Sequence, residues 1–188
     1  MRDRDVRSAL LAQLRSAHAH DNSRIVEEMG LRRGEVRVDV AVINGELSGY
    51  EIKSPSDTLD RLPRQQAVYS RILDRAWLVT TAEQAALAAA TVPPWWGVMT
   101  ITGSQRNGAV LAVARPSERN PAPEPIAIAE LLWRDEALSL LAARAADHGA
   151  RSKPRRYLWA RLADTYELAD LQIAVRSTLK KRSGWLPA

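Results

Sequence analysis

The stretch that most constrains the fold is residues 36–54, VRVDVAVINGELSGYEIKS. Val38, Val40 and Val42 alternate with Arg37, Asp39 and Ala41, which predicts a strand with one apolar face. Asn44-Gly45 tolerates positive φ and predicts a tight turn. A return strand then runs from Leu47 to Lys53. Glu51 and Lys53 lie two apart on it and share a face, with Tyr50 and Ile52 on the other. Pairing of the two strands in the simplest register brings Asp39, Glu51 and Lys53 onto one surface. Two carboxylates and an ammonium crowded there call for a partner, and a hard divalent cation such as Mg2+ suits oxygen ligands of this kind.

The rest of the chain predicts an α/β protein. Val6, Leu10, Leu11 and Leu14 at helical spacing predict a helix over residues 3–19, laid against a sheet. His18 and His20 point in different directions on a helix, so the His18, His20 and Asp21 string reads as its exposed end. A strand over 24–29 carries Glu27 and Glu28, one of which faces each side. After Ser54-Pro55-Ser56 a helix over 58–75 places Gln65 and Tyr69 on one face, four residues apart. A strand over 76–80, an alanine-rich helix over 82–90, and a hairpin of 98–102 with 109–114 follow. Trp95-Trp96 reads as core cover. The element order αβββαβ emerges from periodicity, with the hairpin at a sheet edge.

Proline at 116, 121, 123 and 125 predicts a semi-extended linker over 116–125. It divides residues 1–115, the core, from 126–188, a basic helical segment. In that segment Pro154 opens one helix, and Leu168, Leu171, Val175 and Leu179 mark the last. The formal net charge of +5 is uneven: residues 151–188 carry nine Lys or Arg against three acids, leaving the remainder close to neutral. The chain has no cysteine, so disulfides and Cys-based zinc sites are excluded. No apolar run approaches a membrane span, and the charged start lacks a signal-peptide pattern, so a cytoplasmic location is expected.

Asp39 followed by Glu51-Ile52-Lys53, then the Gln65/Tyr69 helix, resembles the PD-(D/E)xK nuclease superfamily. The likeness is to its RecB-type and lambda-exonuclease-like branches, which carry a Q-x-x-x-Y helix after the ExK strand. The match covers about residues 25–81, although Arg37-Val38 stands where the family often has a proline. The resemblance implies a restriction-endonuclease-like core and a metal-dependent nuclease. Asp39, Glu51 and the Ile52 carbonyl would hold Mg2+ or Mn2+, with Glu28 or its neighbour Glu27 completing the set. Lys53 would orient water or stabilise charge on the phosphate, while Gln65 and Tyr69 would position water or backbone.

A basic tail beside such a site favours contact with nucleic acid, DNA ahead of RNA. Arg155, Arg156, Lys180, Lys181 and Arg182 are the expected phosphate contacts, being at helix ends with no nearby acid in sequence. No membrane partner is expected; self-association or membership of a larger complex is compatible with the chain. The alternative is a protein that binds nucleic acid without cutting it, or a scaffold in a repair or defence complex.

Overall fold

The computed structural model describes residues 3–53, 57, 60–104 and 108–185. Six strands form one mixed sheet in sequence order: β1 (Arg24–Leu31), β2 (Val36–Ile43), β3 (Leu47–Ile52), β4 (Arg75–Thr81), β5 (Gly97–Ser104) and β6 (Gly108–Arg115). The pairs β1–β2, β2–β3 and β5–β6 are antiparallel, whereas β3–β4 and β4–β5 are parallel. Each parallel pair is joined by a helix, α2 (Leu62–Ile72) and then α3 (Ala85–Thr91), as parallel strands require a crossover. The αβββαβ order is therefore present as the pattern predicts, and the β5–β6 hairpin stands at the sheet edge as expected. The expected helix over 58–75 is shorter in the structure: Pro63 sits in its first turn, and Arg75 belongs to β4. The Ser54-Pro55-Ser56 segment, the expected helix start at Thr58 and the Asn107 turn lie outside the described residues.

Two apolar layers cover the sheet. On one face, α1 (Asp3–Ala17) buries Val6, Leu10, Leu11 and Leu14 against Val40, Val42, Tyr50 and Ile52. On the other, α2 and the C-terminal helices α4 (Pro125–Ala129), α5 (Arg134–Ala142), α6 (Arg155–Thr165) and α7 (Leu168–Lys181) share one buried cluster with the strands. Leu171, Val175 and Leu179 of α7 are fully sequestered there, each worth roughly 2 kcal/mol of transfer free energy. Trp95 and Trp96 are buried as well, and the Trp96 ring stacks on Tyr69 at 5.6 Å.

The extended segment between β6 and α4 is fastened along its length. Glu118 N donates to Trp95 O, Asn120 N to Asp74 O, and Glu124 N to Arg71 O, each at 2.8 Å. The buried Asn120 amide donates to the Ser70 and Leu73 carbonyls at 2.8 Å. These bonds satisfy the C-terminal end of α2 as well as the segment itself.

The simple alternation expected in β2 does not hold. Val36, Val38, Ala41 and Ile43 pack in the cluster shared with α2, but Val40 and Val42 pack under α1. The facing positions are therefore three apart across Asp39. Strand β1 shows the same step, with Val26, Met29 and Leu31 on that side. Glu28 absorbs the step with a left-handed backbone, φ 51°. The irregularity falls where the two acids meet.

Candidate active site

Strand β3 supplies the centre of the site. Its register with β2 runs from Ile43 against Leu47 to Val40 against Tyr50, and just beyond that last pair Asp39 meets the end of β3 at Ile52, next to Glu51. Gly49 allows the approach of the layer behind them. A Cβ at that position would lie 2.5 Å from Leu73 Cδ1 and 3.1 Å from Val38 Cγ2, so a larger residue requires the buried Leu73 side chain to shift.

The Glu51 carboxylate, 3% exposed, is completed by the three residues the sequence pattern singled out. Its Oε1 accepts from Lys53 Nζ at 2.8 Å and from Gln65 Nε2 at 2.5 Å. Its Oε2 accepts from the Tyr69 hydroxyl at 2.6 Å, with the Arg37 carbonyl a second acceptor at 2.9 Å. Lys53 Nζ also donates to Gln65 Oε1 at 3.1 Å. Gln65 and Tyr69 reach the same carboxylate because helical spacing of four places them on one face of α2. The four residues form one connected polar network, 53 with 51 and 65, and 69 with 51.

Asp39 stands on the neighbouring strand in a different setting. Its Oδ2 accepts from the backbone N–H of Ile52 at 2.7 Å, and its Oδ1 from Arg7 Nη2 at 2.9 Å. Arg7, from α1, also donates to the Asp39 carbonyl at 3.1 Å and pairs with Glu28 Oε1 at 2.7 Å. Glu28 is thus the acid of its pair that turns to the site. Glu27 turns away and lies 3.9 Å from Arg15.

Burial, above all, pushes the Glu51 carboxyl up from its ordinary value, and the negative charge of Asp39 adds to it; Lys53 and Tyr69 oppose the shift. Asp39 is likewise raised, first by burial, with the Ile52 N–H and Arg7 holding it down. Tyr69 is pushed far up by burial and by Glu51, so it remains a protonated donor.

Asp39, Glu51, Lys53, Gln65, Arg7 and Glu28 line a cleft of ≈ 530 Å³, with Tyr69 buried behind it. The exposed Arg37, Arg61 and Arg64 line it as well, and so do the acids Glu35 and Asp57. Arg64 lies 3.6 Å from Glu35. Arg61, Arg64 and Gln65 share the first turns of α2 at spacings of three and four, a pattern visible in the sequence. Arg7 left no such signal, since its partners are remote in the chain.

The donor chemistry fits a hard divalent cation. Asp39, Glu51 and the Ile52 carbonyl offer oxygen only, and Mg2+ takes few protein oxygens and keeps several waters. No cluster of three or more His, Cys, Asp or Glu is gathered among the described residues, and Glu28 is held on Arg7 instead of on the other acids. Two carboxylates with water would therefore be the protein's share.

The basic tail differs in part from its expected role. Arg155, Arg156 and Lys181 are exposed, and Lys180 donates to Asn22 O at 3.2 Å. Arg182 is not an open contact. It is buried, donating to Glu136 Oε2 at 2.5 Å and to Leu131 O at 2.9 Å. The acid that fixes it is far off in sequence, which is why the local pattern showed none.

The fold and cleft define an α/β protein with a paired-acid site on adjacent strands. The chain belongs to the family described as Bacteriophage P4 protein cII, whose pattern matches residues 1–184. It is 30% identical over 79 residues to protein cII of Enterobacteria phage P4. That match covers 42% of this chain and 30% of the phage protein's length. Among solved structures, SPO1766, a protein of unknown function from Silicibacter pomeroyi, shares 23% identity at a TM-score of 0.44, covering 84% of this chain and 90% of that one. No described helix is long and apolar enough to cross a membrane.

Proposed function

We propose that the protein is a divalent-metal-dependent phosphodiesterase acting on nucleic acid, DNA ahead of RNA, in the manner of the PD-(D/E)xK nucleases. The observation that carries the reading is the convergence of Lys53, Gln65 and Tyr69 on Glu51, within reach of Asp39's charge, in a cleft that Asp39 also lines. A Mg2+ or Mn2+ ion held by Asp39, Glu51 and the Ile52 carbonyl would lower the pKa of a water and polarise a phosphate. The raised carboxyls of Asp39 and Glu51 are the electrostatic reason these two residues favour a cation. Lys53 opposes the upward push on Glu51 and sets an ammonium where charge on a phosphate oxygen would develop. Gln65 and Tyr69 fix the carboxylate's orientation, and Arg37, Arg61 and Arg64 attract the backbone.

A second reading, a nucleic-acid binder that does not cut, draws on Arg7. Its guanidinium pairs with both Asp39 and Glu28, as in a purely structural network. The two readings part in one assay: end-labelled single- and double-stranded DNA and RNA, incubated with Mg2+, Mn2+ or EDTA. Cleavage that needs the metal and disappears in Lys53→Ala and Asp39→Asn supports the first reading. Binding of the strands without any product supports the second.

A further inference from the structure

A second cleft, of ≈ 410 Å³, lies beside the first and shares Glu28 and Arg37 with it. Its walls are aromatic and cationic. The Arg182 guanidinium carbon is 4.3 Å from the Trp133 ring centre and 4.7 Å from that of Trp185, so it holds the two indoles in place. Arg155 lies over Trp159 at 5.7 Å. Trp133 is 39% exposed, one of few large apolar side chains left open to solvent. The Trp185 N–H is buried with no partner among the described residues, at a cost of about 1–3 kcal/mol.

We infer that this second cleft is a base-stacking subsite for single-stranded nucleic acid, taking a nucleotide next to the phosphate bound in the first cleft. The inference rests on the phosphodiesterase reading for the neighbouring phosphate, and adds the strandedness of the substrate. A base already stacked and paired in a duplex has no free face to offer, whereas an unpaired base can lie on an indole. Arg37, common to both clefts, and the exposed Arg155 supply phosphate contacts on either side of the base. Of the cleft's three acids, Glu28 is held by Arg7 and Glu27 lies near Arg15, which offsets their charge; Glu130 is the third. Arg182, buried on Glu136, positions the rings and does not touch the strand.

The test is fluorescence anisotropy of the full chain in EDTA, where no cleavage can occur. The probes are a labelled short oligothymidylate, an abasic strand of the same length, and a blunt duplex. The wild type should bind oligothymidylate more tightly than either of the others. Trp133→Ala should weaken oligothymidylate by about fivefold or more, from a stacking contribution of about 1 kcal/mol upward, and leave the abasic strand unchanged. Trp133→Phe should retain most of the affinity. Arg155→Ala should weaken both single strands alike and flatten the log–log salt slope by about 0.7.

Equal wild-type affinity for oligothymidylate and the abasic strand, or preference for the duplex, overturns the subsite even where Trp133→Ala does not fold. So does an equal loss on both strands in a folded Trp133→Ala. Metal-dependent cleavage without any base contrast removes this inference and leaves the phosphodiesterase reading standing. A base contrast without cleavage does the reverse.

Discussion

Two buried carboxylates, Glu51 and Asp74, sit about equally deep, 3% and 2% exposed, and each is paired with a buried cation. Asp74 is closed on all sides. Its Oδ2 accepts from Leu47 N at 2.6 Å and Arg176 Nη1 at 2.8 Å, and its Oδ1 from Gln172 Nε2 at 2.7 Å. It ties the β2–β3 hairpin to α7, and its own carbonyl holds the extended segment through Asn120. Glu51 has as many donors, but it lines a cleft and lies within reach of a second acid. Satisfied hydrogen bonds alone do not tell the two settings apart. The neighbouring charge does: burial and then Asp39 push Glu51 up, and under the proposed reading a cation would offset both acids.

The largest effect expected from this contrast is on stability at Asp74. Asp74→Asn leaves Arg176 buried without its counter-charge and should cost about 3–5 kcal/mol, read by denaturant unfolding. The same exchange at Glu51, Glu51→Gln, should cost less than half as much. It removes the repulsion from Asp39, and Asp39 remains near enough to offset Lys53. Equal costs at the two positions would break the comparison. The order should reverse for cleavage, with Glu51→Gln inactive and the folded fraction of Asp74→Asn active.

The pH dependence sharpens it. A carboxyl raised in the folded state binds more protons there than in the unfolded chain, so acidification stabilises the fold across that interval. The stability of wild type relative to Glu51→Gln should therefore grow as pH falls from neutral toward about 4.3, the ordinary Glu value. Paired thermal melts across that range measure it, and a difference that shrinks with acid would contradict the burial of a strained charge. The smallest effect is expected at Arg7, whose pairs are partly exposed. Arg7→Gln should cost about 1 kcal/mol, and less when Mn2+ is present to offset Asp39 in its place.

Much of the site was legible because its parts are local. The spacing of Glu51 and Lys53 on a strand, and of Gln65 and Tyr69 on a helix, fixes which side chains share a face before any packing is known. The β2–β3 hairpin followed from Asn44-Gly45, although neither residue takes the positive φ on which that expectation stood; Asn44 Oδ1 accepts from Glu46 N at 2.8 Å and closes the turn instead. What the sequence hid is what packing decides. Period-2 reading put Val38, Val40 and Val42 on one side, but both faces of β2 are apolar, so alternation carried no warning of the step at Asp39. Arg7, Asp74 and the Arg182–Glu136 pair are contacts between remote segments, and a charge in sequence does not name its partner. The tail's positive charge looked like one surface, yet Arg176 and Arg182 spend theirs inside the protein.

On the proposed reading, buried Glu51 and partly buried Asp39 together receive a cation. The most direct measurement is the thermal midpoint of the protein titrated with Mn2+, for wild type, Asp39→Asn and Glu51→Gln. A site that binds only in the folded state raises stability by about 2.7 kcal/mol at a hundredfold excess over Kd. The account predicts a midpoint that climbs with Mn2+ in wild type and stays level in both variants. A flat wild-type titration, or an equal rise in all three proteins, would contradict it.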